Sequence, residues 1–157
     1  MMDRLNPKKI VVVSSAPQIR FPDCYGIDMA NMEGLIAFQA ALELLKDNDN
    51  YGLVDEIYKK CKAQVDLPDA EVINFVNEIY NSFTDQEISD KIAVLLTEES
   101  VTAEVKIIYQ SVANLHKACP DNLGDWYFTG DYPTVGGNRV VNRAFINFYE
   151  GNKERAY

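Results

Sequence analysis

Histidine is nearly absent from this chain: His116 is the only one in 157 residues. With no second imidazole, any mechanism or metal site that needs a histidine pair is excluded, and His116 reads as an ordinary helix-surface residue. Cysteine is also scarce. Cys24, Cys61 and Cys119 are odd in number, widely spaced and without a C-x-x-C pair, so neither a disulfide framework nor a zinc site is expected, and the three read as reduced thiols. Basic charge is in deficit, with 15 Lys and Arg against 24 Asp and Glu for a formal net charge of −9. Such a surface repels phosphate backbones and anionic lipids, so neither nucleic acid nor membrane is expected as a partner. No apolar run approaches the roughly 18 residues of a membrane span, and the expectation is a soluble, cytoplasmic protein.

What is present is enough for a core. At 157 residues and 47% apolar, the chain is the size of one ordinary domain and buries its core without metals or disulfides. Ile10 to Val13 are continuously apolar and mostly β-branched, which predicts a parallel-sheet strand at about Lys9 to Ser14, apolar on both faces. Pro17, Pro22 and Gly26, with Phe21 and Tyr25 between them, predict an ordered loop. Apolar residues at helical spacing then predict helices near 31–47, 51–64, 68–82 and 84–96. Asn31 is placed to cap the first, Pro68 to open the third, and Thr84 with Glu87 to form a capping box on the fourth.

Val105 to Tyr109 predict a short strand, and Ser111 caps a brief helix through Cys119 that Pro120 ends. From Asp121 onward the chain reads as an aromatic tail holding Trp126, Tyr127, Phe128, Tyr132, Phe145, Phe148 and Tyr149, with a turn at Gly136-Gly137. That glycine pair is not a phosphate loop, since no strand precedes it with a helix and lysine following in register. Glu98 and Glu99 read as a solvated pair.

The ordered run Val13-Ser14-Ser15-Ala16-Pro17-Gln18-Ile19-Arg20-Phe21-Pro22, then Tyr25-Gly26-Ile27-Asp28-Met29 and Glu33-Gly34-Leu35-Ile36-Ala37, closely resembles a stretch of the glutamine-dependent amidophosphoribosyltransferases. There it forms a strand exit, a turn and the start of a helix. Downstream, Ile108-Tyr109-Gln110-Ser111-Val112 with Leu115, and Phe128-Thr129-Gly130 with Tyr132-Pro133-Thr134, resemble that family's last strand, helix and tail in the same order. The resemblance implies an α/β, predominantly helical chain, the C-terminal portion of a type I phosphoribosyltransferase-like domain. Residues 1–39 would end its α/β core, 40–104 would be a helical insertion, and 105–157 would be the closing strand, helix and tail, all in one structural domain.

The family forms 5-phosphoribosylamine from glutamine and phosphoribosyl pyrophosphate, the committed step of purine synthesis. Its glutaminase cysteine and acidic phosphoribosyl loop would lie upstream of Asp3 to Leu5, so no catalytic residue is assigned and the chain alone is expected to be inactive. In the intact enzyme Ser14, Ser15, Arg20 and Tyr25 are the candidate substrate-binding residues. Arg20 is the best suited of these, because its forked donors match phosphate, although it could instead brace the loop through Asp23 or Asp28. Magnesium is expected only for the intact parent.

Some family members hold an iron-sulfur cluster. Here Gly124, Tyr127 and Asp23 stand at ligand positions and Cys24 falls one residue late, so no cluster is expected. A different reading is a free-standing acidic interaction or scaffold domain derived from the enzyme. The expected partners are the missing N-terminal part of the enzyme or a second copy of the chain, because a doubly apolar strand this poorly covered should leave an exposed edge.

Overall fold

The computed structural model describes residues 6–22, 29 and 31–156. Lys9–Val13 form strand β1. After the loop, Asn31 does act as a cap, accepting from the Glu33 amide at 3.1 Å, but what it caps is a single 3₁₀ turn, Met32–Gly34. Helix α1 starts later than expected, at Ile36–Asp47, and buries Phe38, Leu42 and Leu45. Helix α2, Gly52–Ala63, buries Val54, Ile57 and Cys61, while Val65 lies beyond its end and is exposed.

The third expected helix, 68–82, is mostly absent. A 3₁₀ turn at Asp69–Glu71 and an extended stretch precede a short helix α3, Asn77–Asn81. The cause is side-chain competition for the backbone. The Gln64 amide donates to the Ile73 carbonyl at 3.1 Å and accepts from the Ile73 N–H at 2.8 Å, and Asn74 accepts from the Val76 N–H at 3.1 Å. Once these side chains satisfy the backbone, helical bonds add little over a run containing β-branched Val72, Ile73 and Val76. Val72, Val76 and Ile79 are buried all the same, so the apolar spacing marked core residues and misjudged the backbone joining them.

Helix α4, Asp85–Leu96, carries the reciprocal Thr84 and Glu87 capping box. The Thr84 hydrogen bonds hold the Glu87 carboxyl below its ordinary range. Strand β2, Glu104–Ile108, follows. Next comes α5, Val112–Ala118, whose first turn is capped by Ser111, and a single turn, α6, Trp126–Thr129.

The remaining segment corrects the expected aromatic tail. Gly136 and Gly137 do not simply make a turn: they begin the longest helix, α7, Gly137–Glu150. Val141, Ala144, Phe145 and Ile146 on it are buried. A Cβ on Gly137 would lie 2.2 Å from the Tyr132 side chain, so the glycine permits a close approach that propensity alone reads as a break. Gly130, at φ +79, ends α6 in the left-handed region.

The result is a mixed α/β, helix-rich fold with one core. α1 packs on α4 and α3, α4 on β2, and α2 on α7. Phe38 stands at the centre, edge-on to Phe148 at 4.9 Å and to Phe145 at 6.2 Å, an arrangement that adds quadrupole attraction to area burial. Core residues come from α1 through α4, from β2 and from α7.

β1 pairs with β2 in parallel, Lys9 beside Glu104 through Val13 beside Ile108, as a two-stranded sheet. The Lys8 carbonyl accepts from Glu104 and the Ser14 N–H donates to Ile108. By the alternation of a parallel ladder, residues 10 and 12 therefore face β2, and the backbone groups of Lys9, Val11 and Val13 face outward. The dry pattern of β1 predicts two buried faces, yet Val11 and Val12 are each 48% exposed and Val13 is 70% exposed. The helical body covers β2, with Ile107 buried, and leaves the β1 edge open among the described residues.

If α7 is core and not tail, Phe145→Ala should cost about 3–5 kcal/mol. Urea unfolding followed by far-ultraviolet circular dichroism checks this, and a loss under about 1 kcal/mol would place the helix outside the core.

Candidate functional site

In parallel sheets ligands bind beyond the carboxyl ends of strands. There a cleft of about 180 Å³ opens between the loop after β1 (Gln18, Arg20), the start of α4 (Asp85, Ser89) and the exit of β2 (Tyr109, Ser111). Arg20 is the cation in its lining, but its guanidinium is occupied. It donates to Gln18 Oε1 from Nη2 at 2.7 Å and from Nε at 3.2 Å, and it pairs with the Asp85 carboxylate. Its guanidinium carbon sits 5.4 Å from the centre of the Tyr80 ring.

The cluster is closed from the other side as well. Gln18 Nε2 donates to the Asp85 carbonyl at 2.7 Å and to Ser89 Oγ at 2.8 Å. The Tyr80 hydroxyl donates to the Arg20 carbonyl at 2.6 Å, and the Arg20 and Phe21 amides both donate to the Tyr127 carbonyl. The β1 exit is thereby fixed to α3, α4 and α6. Asp85, 65 positions away in sequence, provides an anionic partner besides the expected Asp23 and Asp28, which lie outside the described residues. Its charge offsets the field Arg20 would present to a phosphate, so in this arrangement Arg20 is a brace.

Ser14 and Ser15 are not gathered around Arg20. Ser14 closes its own turn, donating to the Ala16 carbonyl at 2.9 Å and accepting from the Ala16 amide at 3.2 Å. It lines a neighbouring, more apolar cleft of about 350 Å³ with Ile19, Leu35 and Tyr109, the last shared with the cleft at Arg20. Ser15 is exposed and lines neither cleft. Tyr25 lies outside the described residues. Comparisons with protein-family models, with curated proteins and with solved structures returned no match.

Sequence reasoning missed Gln18, Tyr80 and Asp85 as the partners of Arg20. Gln18 is a sequence neighbour of Arg20, but local spacing offers no signal for Tyr80 and Asp85, which come from 60 and 65 residues away. The described thiols behave differently from each other. Burial pushes Cys61 from 9.0 up to about 12, with Glu78 adding to the rise and Lys60 opposing it, whereas Cys119 is exposed. His116 Nε2 lies 3.2 Å from Asp125 Oδ2 but makes no hydrogen bond. Among the described residues no group of three His, Cys, Asp or Glu side chains is placed to hold a metal, and no helix is long and apolar enough to cross a membrane.

Tyr80→Phe strands the Arg20 carbonyl and should cost about 1–2 kcal/mol by urea unfolding. Burial also raises the Tyr80 phenol, against an opposing pull from Arg20. The folded state therefore keeps the Cys61 and Tyr80 protons at pH values where the unfolded chain has lost them. That stability is fully present below about pH 9 and is lost as pH rises toward 12. Cys61→Ala should make the alkaline fall in stability less steep, and an unchanged slope would contradict the buried-thiol account.

Proposed function

We propose that this chain is the C-terminal part of a glutamine-dependent amidophosphoribosyltransferase, folded but inactive alone, which completes the enzyme that forms 5-phosphoribosylamine. The observation that carries the reading is the unfinished sheet. Val11, Val13 and Ile108 are exposed along the face opposite α4, and among the described residues no strand lies beside the outward N–H and C=O groups of β1. Parallel sheets are ordinarily covered on both faces and continued at their edges. A larger α/β domain would supply the missing strands and the second helix layer, and the motif that carries the family resemblance leaves the sheet from the end of β1.

On this reading the helical segment between β1 and β2 is an insertion into a type I phosphoribosyltransferase-like domain. The magnesium and the reacting groups belong to the remainder of the enzyme, and no iron-sulfur cluster is involved. Gln18, Arg20, Asp85 and Tyr80 then hold the β1 exit in shape and do not contact substrate.

The test is complementation. The chain is mixed with the N-terminal remainder of an amidophosphoribosyltransferase that ends before this strand, and pyrophosphate release is measured with glutamine, phosphoribosyl pyrophosphate and magnesium. Release is expected from the mixture and from neither part alone. Release by the chain alone would overturn the proposal, and two folded parts that neither associate nor react would favour the free-standing interaction domain.

In isolation the same open edge should pair two copies of the chain, with the net charge of −9 limiting growth to a discrete oligomer. Sedimentation equilibrium over a wide concentration range should show a monomer giving way to one larger species. A single monomer mass throughout would contradict pairing.

A further inference from the structure

Helix α4 has two faces suited to packing and uses one of them. Ile88 and Ile92 are buried, and the helix packs on α1 and β2. A second stripe, Asp90, Ala93, Val94 and Thr97, follows the i, i+3, i+4, i+7 spacing on which a further helix packs. It forms one wall of an open groove of about 450 Å³, completed by Glu98, Glu99 and Val101 of the connection and by Val105 of β2. The Thr97 hydroxyl donates to the Ala93 carbonyl at 2.6 Å, so it makes no polar demand on the groove. Val94 is 64% exposed and Leu96, on the same last turn, 59%.

The charges around this groove are of one sign. Asp90, Glu98 and Glu99 line it, with no lysine or arginine among the described residues of the lining. Glu98 and Glu99 belong to none of the ion pairs among the described residues, and Lys91, the only basic residue of α4, is taken by Asp47. The carbonyl end of a helix carries partial negative charge and attracts Lys or Arg. The last turn of α4 has no basic residue, and two glutamates follow it directly after Thr97, where carboxylates oppose the helix dipole. Folds retain such local conflicts at functional sites.

These features constrain the occupant. The aliphatic floor calls for apolar side chains, the acidic rim and the helix end call for cations, and the spacing of the α4 stripe calls for a helix. A second copy is a poor match, because each copy brings a net charge of −9 and the rim repels it. The covering layer invoked above for the sheet belongs to the opposite face. Val105 and the buried Ile107 alternate with Ile108 along β2, so a layer over Ile108 leaves this groove open.

We propose that the groove between α4 and the start of β2 docks a basic amphipathic helix of a partner protein. The partner's aliphatic residues lie on Val94, Val101 and Val105, one helical turn apart, as in other helix-in-groove recognition. Its flanking Lys or Arg side chains pair with Glu98 and Glu99 beside the carbonyl end of α4, and such rim charges select the partner and speed its arrival. The groove shares no lining residue with the cleft at Arg20, and its use does not depend on the function proposed above.

The test is a titration of the full chain, labelled at its valine and leucine methyl groups, followed by nuclear magnetic resonance. The probes are two synthetic amphipathic helices of about 14 residues, one built of leucine and lysine, the other with glutamate in place of lysine. The leucine–lysine peptide should give saturable shifts centred on Val94, Val101 and Val105, and the leucine–glutamate peptide none. Glu98→Lys combined with Glu99→Lys should weaken binding by about tenfold or more. Asp66→Lys combined with Glu71→Lys makes an equal change of charge outside the groove and should weaken it by about twofold or less. All four positions are exposed, so both variants should keep the wild-type spectrum elsewhere. Shifts spread over the whole surface, an equal loss in both variants, or no saturable binding of the leucine–lysine peptide would each overturn the proposal.

Discussion

Two strands of a sheet can lie parallel only if the chain between them crosses back, and that constraint organises this molecule. The connection from Ser14 to Ala103 contains α1 to α4, so pairing β1 with β2 closes a loop around most of the core. The closure is entropically expensive and is balanced by burial inside the loop, where α1 lies against α4 and α4 against β2. α7 arrives from outside the loop and completes the core through Phe145 and Val141. Among the described residues the sheet is therefore anchored on the β2 side and open on the β1 side.

That asymmetry also governs the two clefts. At the carboxyl ends of the strands, where a ligand would enter an α/β sheet, Arg20 is tied to Gln18, Asp85 and Tyr80 and serves to fix the β1 exit against the helices. The seam between α2 and α7 is also lined with amides and cations, and there Arg139 is tied to Asp69 and Lys62 to Glu150.

Much of the fold was legible in local sequence because local physics determines it. The Thr84 and Glu87 capping box, the Ser111 cap and the apolar faces of α1 and α2 all stand where their spacing puts them. The misreadings have a common origin in tertiary contacts. Gln64 and Asn74 take over backbone bonds that a helix from Pro68 would have used, and Gly137 reads as a break until Tyr132 is seen packed against it. At the candidate site Arg20 was identifiable by type, while its anionic partner Asp85 comes from a helix 65 residues away.

The central claim is that β1 is held on one side only. Native-state amide hydrogen exchange, read residue by residue in a dilute monomeric sample, tests it directly. The amides of Ile10, Val12 and Ser14, directed at β2, should be protected, and those of Lys9, Val11 and Val13 should exchange close to the rate of free peptide. Protection of Val11 and Val13 equal to that of Val12 would mean that the edge is covered within the chain, and would contradict the account.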